Sequence, residues 1–127
     1  MNKNVNILIA EDERDLNDAY SMILKSAGYS VRAASDGKQA LDYIKREGDP
    51  DIILLDLRMP VMAGIEFLKK YNAPSHPDTT IILFSNYEVQ REVDEAFDLG
   101  VHRYILKSLV SPKELIRIIQ LTSKHTN

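Results

Sequence analysis

Residues 51–64 read DIILLDLRMPVMAG, a strand-length apolar run that ends abruptly at a carboxylate, Asp56. The run is continuous rather than alternating, which is typical of a strand covered on both faces of a parallel sheet. Four more strand-length runs rich in Ile, Val and Leu lie along the chain, at residues 5–10, 29–33, 80–84 and 102–106. The sequence therefore predicts five strands.

Apolar residues recur at three- and four-residue spacing between these runs, as on the buried face of an amphipathic helix. The five sets are Leu16, Tyr20, Ile23, Leu24 and Ala27; Ala40, Leu41 and Ile44; Ile65, Leu68 and Tyr71; Val89, Val93, Ala96 and Phe97; and Leu115, Ile118 and Ile119. Strand and helix thus alternate along the chain. That order predicts an α/β fold with a five-stranded, doubly wound parallel sheet and helices on both faces.

Capping residues indicate where several helices begin and end. Asp36 with Gln39, and Ser111 with Glu114, have the layout of capping boxes, in which two side chains satisfy free amides of the first helical turn. Helix ends are predicted where a glycine follows the apolar pattern and shortly precedes a strand, at Gly28, Gly48 and Gly100.

Length and composition limit the function. A chain of 127 residues fits one domain, so a single domain is expected over residues 1–127. The absence of cysteine excludes disulfides and thiol chemistry, and a net charge of −3 without long basic runs does not indicate direct nucleic-acid binding. No apolar run approaches the roughly 18 to 20 residues that span a bilayer, and no secretory signal is found, so a cytoplasmic protein without membrane contact is expected.

Five polar or charged side chains follow the predicted strands. They are Glu11 and Asp12 after the first strand, Asp56 after the third, Ser85 after the fourth and Lys107 after the fifth. Parallel strands end on one edge of the sheet, and open α/β sheets bind ligands beyond that edge. These side chains are therefore predicted to converge, although they are far apart in sequence.

The residue types at this edge point to phosphate chemistry. Three carboxylates repel one another unless a cation intervenes, and Mg²⁺ prefers oxygen ligands while keeping positions for water or phosphate oxygens. A carboxylate can also be a nucleophile that forms an acyl phosphate. The pattern predicts phosphoryl transfer to Asp56 beside Mg²⁺, with Lys107 and Ser85 contacting the phosphoryl oxygens.

Three motifs resemble the receiver domains of response regulators, the chemotaxis-regulator-like switches of two-component signalling. DLRMPVMAG at 56–64 resembles the family pattern of an aspartate followed by Met-Pro and a later glycine. ILIAED at 7–12 resembles the first strand with its acidic pair, and YILK at 104–107 resembles the fifth strand with its lysine. The resemblance covers about residues 5–121 and implies a flavodoxin-like strand order, 2-1-3-4-5.

The resemblance implies a role for each residue at the strand ends. Asp56 would take a phosphoryl group from a phosphohistidine on a histidine kinase or a histidine phosphotransfer protein. Asp12, Asp56 and the backbone carbonyl of Arg58 would bind Mg²⁺ directly, and Glu11 would bind it through water. Lys107 would pair with the phosphoryl group.

The resemblance also implies a conformational switch. Ser85 would swing toward the phosphoryl group and Tyr104 would turn inward, altering the face made by the fourth helix, fifth strand and fifth helix. That face would contact a downstream output protein or domain. The chain would be a signalling switch rather than an enzyme, monomeric or weakly dimeric, catalysing only its own phosphoryl transfer and slow autodephosphorylation.

Two positions depart from the family pattern. Ser108 replaces a proline that usually follows a cis peptide bond; because a cis bond before a non-proline residue costs about 2.5 to 4 kcal/mol, a trans bond is expected. Asn86, followed by Tyr87, replaces the small residue that usually follows the switch hydroxyl. Slow exchange of the phosphoryl group is expected because these larger groups restrict access. A receiver-like module that binds partners without phosphorylation is the alternative function.

Two rival protein classes fit the sequence less well. A haloacid-dehalogenase enzyme carries a second aspartate two residues after its nucleophile, where this chain has Arg58. A flavodoxin-like FMN binder has a Ser-, Thr- and Gly-rich phosphate loop, whereas residues 11–13 are acidic and would repel the anion.

Simpler interpretations apply to single residues. Glu11, Asp12 and Glu13 could favour the amino end of the following helix, and Ser85 could cap the next one. Tyr104 could be a partly buried strand residue. The three histidines lack metal-ligand spacing and are expected on the surface, in a loop at His76, at a strand start at His102 and in the tail at His125.

Overall fold

The computed structural model describes residues 5–86 and 89–125, over which strands and helices alternate as predicted. The strands are β1 (Asn6–Ala10), β2 (Ser30–Ala34), β3 (Ile52–Leu55), β4 (Thr80–Ser85) and β5 (Arg103–Leu106). The helices are α1 (Arg14–Ser26), α2 (Gly37–Glu47), α3 (Gly64–Tyr71), α4 (Gln90–Asp98) and α5 (Pro112–His125). Short 3₁₀ turns follow α3 and β5, at Ala73–Ser75 and Lys107–Leu109.

The five strands form one parallel sheet in the order β2-β1-β3-β4-β5. This confirms both the doubly wound α/β class and the strand order that the family resemblance implied. At the carboxyl edge Ala10 lies opposite Ala34 and Leu55, and Ser85 lies opposite Leu106. Because neighbouring strands end in register, the residues that follow β1, β3 and β5 meet at one edge.

A hydrophobic layer covers each face of the sheet. On one face α2, α3 and α4 pack against it through Ile44, Phe67 and Val93 among others. On the other face α1 and α5 pack through Leu24 and Ile119. Successive residues of β1, β3 and β4 enter the two layers in turn, which is why their sequences are continuously apolar. Within the described ranges, no helix has the length and apolarity needed to cross a bilayer.

Hydrogen bonds at the helix ends account for the element boundaries. Asp36 Oδ1 accepts from the Gln39 amide at 2.8 Å, whereas the Gln39 side chain accepts from the Ser35 amide, one residue earlier than in a capping box. Ser111 and Glu114 form the complete reciprocal box. The predicted helix-ending glycines have φ of 100°, 90° and 109°, the left-handed region that other residues rarely adopt: Gly28, Gly48 and Gly100.

Strand β2 begins one residue later than predicted. The Tyr29 amide donates to the Leu24 carbonyl at 3.2 Å, so Tyr29 belongs to the turn that ends α1. The strand runs on to Ala34, whose carbonyl accepts from the Glu11 amide at 3.0 Å. The β1–β2 ladder thus continues into the first residue of the predicted site.

Candidate functional site

The three acidic side chains predicted to converge do so. Glu11 and Asp12 directly follow β1, and Asp56 directly follows β3. One carboxylate oxygen from each lies within 4.8 Å of the others. Glu11 and Asp56 are buried, whereas Asp12 is exposed at the rim. Carboxylates this close together require positive charge nearby, because each disfavours ionisation of its neighbours.

Lys107 supplies part of that charge from the end of β5. Its ammonium contacts the Glu11 carboxylate and lies 3.5 Å from Asp56 Oδ2, and its side chain is only 6% exposed. Burial lowers the pKa of Lys107 to about 8, so the side chain is still mainly protonated at neutral pH. The described residues contain no cis peptide bond, which confirms the expected trans bond between Lys107 and Ser108.

Polar groups from two elements surround the Asp56 carboxylate. The Ser85 hydroxyl and the backbone amides of Leu57 and Arg58 lie close enough to favour its charged form. Burial raises the pKa of Asp56, with a smaller contribution from the charge of Asp12, and these polar groups oppose that rise because they favour the carboxylate. A partly desolvated carboxylate is suited to contact a cation or to attack an electrophile.

Ser85 is the last residue of β4 and is buried. The alternative interpretation, that it caps the next helix, is wrong because α4 begins after Val89 and has no side-chain cap. Its side chain instead lines the same cavity as Asp56 and favours the charged form of that carboxylate. The fourth strand thereby adds a neutral donor to the edge where β1, β3 and β5 supply charges.

A cavity of about 220 Å³ opens at this edge, and its lining includes most of the predicted residues: Asp12, Glu13, Asp56, Arg58, Ser85, Asn86 and Lys107. Water occupies about 30 Å³ per molecule in the liquid, so the cavity has room for a phosphoryl group beside a hydrated ion. Its walls offer carboxylate oxygens, a hydroxyl and an ammonium. That combination can bind a divalent cation and a phosphoryl group together.

Comparison with known proteins places this chain in a family. The family model described as response regulator receiver domain matches residues 7–120. The chain belongs to this family. Receiver domains are the signalling switches of two-component systems.

Two relatives of the receiver domain differ in length. Chemotaxis protein CheY-3 of Vibrio cholerae is 35% identical over 109 residues, which cover 84% of this chain and 83% of that protein. Sensory transduction protein RegX3 of Mycolicibacterium smegmatis is 33% identical over 114 residues, 90% of this chain and 48% of RegX3. The receiver domain thus spans about half the length of RegX3 and of similar relatives.

Solved structures share the fold of the receiver domain. A CheY-like response regulator receiver domain protein from Methanospirillum hungatei has a TM-score of 0.87 at 26% identity, covering 95% of this chain and 94% of that chain. The response regulator TrrA from Thermotoga maritima, crystallised in complex with Mg²⁺ and BeF, has a TM-score of 0.79 at 26% identity, covering 92% of this chain and 97% of that chain.

The donor set of the receiver domain fits a hard divalent cation. Glu11, Asp12 and Asp56 are the group within the described residues that could hold a metal ion, and all three offer carboxylate oxygens. Magnesium prefers such ligands, whereas nitrogen and sulfur donors would favour zinc. Arg58 lines the same cavity, and binding through its backbone carbonyl stays a prediction.

Sequence reasoning missed Asn17 and quoted Gly64 only as part of the receiver motif, without a structural role. The buried amide of Asn17 donates to the carbonyls of Glu11 and Ala34 at 3.0 and 3.1 Å, joining the ends of β1 and β2. Asn17 lies one helical turn before Tyr20 and two turns before Leu24, on the buried face of α1. A polar residue within that apolar pattern was the sequence signal that could have identified it. Gly64 lies so close to the Asp56 carbonyl that a Cβ there would be 2.4 Å from its oxygen.

Tyr104 lies on β5 and is half-buried against the layer that contains α2, α3 and α4. It is not among the residues that line the carboxyl-edge cavity. The simpler interpretation, a partly buried strand residue, describes this conformation. Its inward turn on phosphorylation stays a prediction.

His76 and His102 lie away from the acidic cluster, since their contacts are with Asp49 and Ile81. His76 lies in a loop as predicted, but it is half-buried rather than fully on the surface. Its Nδ1 lies 2.7 Å from Asp49 Oδ2. His102 is exposed, but its ring accepts a hydrogen bond from the Ile81 amide and it precedes β5 rather than starting it. His125 is the last residue of α5, and its predicted surface position lies outside the described side chains.

Proposed function

We propose that this receiver domain accepts a phosphoryl group on Asp56 and uses the modification to change a protein-binding face. The observation that carries the proposal is the position of Lys107, whose buried ammonium contacts Glu11 and lies 3.5 Å from Asp56. An ammonium between two carboxylates, with Asp12 alongside, provides charges of both signs at one point. Those charges can hold a cation and an incoming phosphoryl dianion.

In the proposed transfer, a carboxylate oxygen of Asp56 forms a bond to phosphorus. The bond from phosphorus to the donor's imidazole nitrogen breaks, and that nitrogen keeps the electron pair. The donor is a phosphohistidine on a histidine kinase or a histidine phosphotransfer protein. The product is an acyl phosphate on Asp56, which water later hydrolyses slowly.

Charged groups around Asp56 would assist this transfer. Asp12, Asp56 and the Arg58 carbonyl would bind Mg²⁺, with Glu11 contacting it through water. When bound, the ion supplies charge neutralisation at the phosphoryl oxygens. Lys107 would move its contact from Glu11 toward a phosphoryl oxygen, and the Ser85 hydroxyl would donate a hydrogen bond to the same group.

A movement of Ser85 would change the protein-binding face through Tyr104. As Ser85 moves, Tyr104 would turn inward and change the face made by α4, β5 and α5. Phe97 on α4 and Leu109 after β5 are exposed large apolar residues near that face, 43% and 74% exposed respectively. Such residues can contact a downstream protein or output domain. We expect the phosphoryl transfer to take place in the cytoplasm, where the kinase partner and the output protein would meet the receiver domain.

Incubation with acetyl phosphate and Mg²⁺, followed by intact-mass spectrometry, tests the proposal. We expect one phosphoryl adduct, lost when Mg²⁺ is chelated and absent from Asp56→Asn. Asp78→Asn is the matched control, because Asp78 is exposed and outside the site. An adduct that persists in Asp56→Asn would contradict the proposal. A folded protein that forms no adduct would instead be a phosphorylation-independent binding module.

Asn86 should slow the exchange of the phosphoryl group. It lines the cavity, and its Oδ1 accepts from the Ser108 amide at 2.9 Å, tying the loop after β4 to the turn that contains Lys107. Asn86→Ala opens this rim, so we expect phosphorylation by acetyl phosphate and subsequent hydrolysis both to become several-fold faster in a mass-spectrometric time course. Unchanged rates in both directions would exclude this role. Tyr87, the other large residue predicted at the rim, lies outside the described residues.

A further inference from the structure

A groove lies between α2 and α3, on the helical layer opposite α1 and α5. Its volume is about 450 Å³. Apolar side chains form its floor: Leu41, Ile44, Met62 and Tyr71. Three lysines also line the groove: Lys38, Lys45 and Lys70. Among the described residues that line the groove, Asp42 is the only acid, so its net charge is positive.

Fold stability alone does not account for all three lysines. Within the described residues, none of them lies within 4.0 Å of a carboxylate as an ion pair. Lys45 and Lys70 occupy the last turns of α2 and α3, where a cation interacts favourably with the helix dipole. Lys38 occupies the first turn of α2, where a cation is unfavourable. Its charge costs helix stability and is available to a ligand.

The walls of the groove are closely packed without a ligand. The Gly37 amide donates to the Met62 carbonyl at 2.8 Å, and a Cβ at Gly37 would lie 2.7 Å from that oxygen, so α2 packs tightly on the loop that carries Met62. Tyr71 stacks on both Phe67 and His76, with ring centroids 5.4 and 4.1 Å apart. A preformed wall lowers the cost of ordering side chains on binding.

We propose that this groove binds an acidic amphipathic segment of a partner protein. Apolar side chains of the segment cover the floor between α2 and α3, and its carboxylates pair with Lys38, Lys45 and Lys70. Two adjacent helices with an apolar floor offer the geometry in which an amphipathic helix docks. A nucleic-acid backbone would satisfy the lysines and leave the apolar floor uncovered. The proposal does not depend on phosphorylation of Asp56.

Methionine methyl NMR on the unphosphorylated protein tests this directly. The chain has four methionines, of which Met62 lines the groove, Met59 is buried and Met22 is 68% exposed on α1. The probe is a synthetic helical peptide with leucines on one face and flanking glutamates. We expect a saturable shift of the Met62 methyl signal, identified with Met62→Leu, and no shift of Met22. The same peptide with lysines replacing glutamates should leave both signals unchanged.

Charge reversal on the rim tests the electrostatic part. Lys45→Glu with Lys70→Glu should weaken the acidic peptide by on the order of tenfold, since two exposed pairs are lost and repulsion replaces them. Lys25→Glu with Lys113→Glu makes the same change of net charge on α1 and α5 and should leave the affinity unchanged. Equal weakening by both double variants, equal shifts of Met22 and Met62, or no Met62 shift would overturn the proposal. So would a Met62 shift produced by raising protein concentration alone, which would identify a second copy as the occupant.

Discussion

Lys107→Met is expected to lower the free energy of unfolding by about 3 to 5 kcal/mol at neutral pH in the absence of Mg²⁺. Methionine keeps the length and apolar stem of the side chain and removes its charge. Glu11 and Asp56, whose side chains are 2% and 11% exposed, would then face each other without the ammonium that now contacts one and lies near the other. Urea unfolding followed by circular dichroism measures the loss.

The pH dependence of this variant distinguishes charge from packing. Burial already raises the pKa of the Asp56 carboxyl, and loss of the nearby ammonium adds to that rise, so the folded protein binds more protons than the unfolded chain. Stability must then increase as pH falls. We expect much of the loss to be recovered in acid, and we expect Glu11→Gln to reduce the cost of Lys107→Met. An equal loss at every pH would contradict the electrostatic explanation. Lys113→Met, at an exposed lysine on α5, should change stability by less than about 0.5 kcal/mol.

Gly64→Ala is expected to destabilise the domain by about 1 to 3 kcal/mol and to slow phosphorylation of Asp56. The added Cβ would lie 2.4 Å from the Asp56 carbonyl oxygen and 3.0 Å from the Leu57 Cα. Both are backbone atoms, so the peptide that follows Asp56 must shift. The helix propensity gained by replacing glycine with alanine, about 1 kcal/mol, does not offset the clash.

Gly48→Ala is the matched control for Gly64→Ala. Gly48 has a φ of +90°, and a Cβ there would meet no atom within 4 Å. Its replacement costs about 1 to 3 kcal/mol through backbone strain alone, because a φ of 90° with a ψ of 177° is adopted almost only by glycine. Urea unfolding should therefore register both variants, whereas the rate of adduct formation with acetyl phosphate should fall only in Gly64→Ala. Equal phosphorylation rates in the two variants would show that the Asp56 peptide tolerates the contact.

Most of the fold was predictable because each element has a local signal. The continuous apolar run before Asp56 identified β3 as a central strand, and the Ser111–Glu114 box marked the start of α5. Periodicity misplaced the start of β2 by one residue. The Tyr29 amide closes the turn after α1, and that bond depends on how the helix ends rather than on the pattern of apolar residues.

The membership of the site was predictable, but its pairing was not. Strand order placed Glu11, Asp56 and Lys107 at one edge, yet only the structure shows that Lys107 contacts Glu11 more closely than Asp56. The ion pair of the Arg58 side chain with Glu92 depends on how α4 packs beside the loop after β3. Contacts between elements far apart in sequence have no local pattern, so sequence reasoning did not find them.

The most direct test of the central claim is to locate the phosphoryl group chemically. Borohydride reduces an acyl phosphate on aspartate to the corresponding alcohol, which marks the modified residue permanently. After incubation with acetyl phosphate and Mg²⁺, reduction and peptide mass spectrometry should find homoserine at position 56, within the peptide that contains residues 51–64. Homoserine at position 12 or at another aspartate, with none at position 56, would contradict the account.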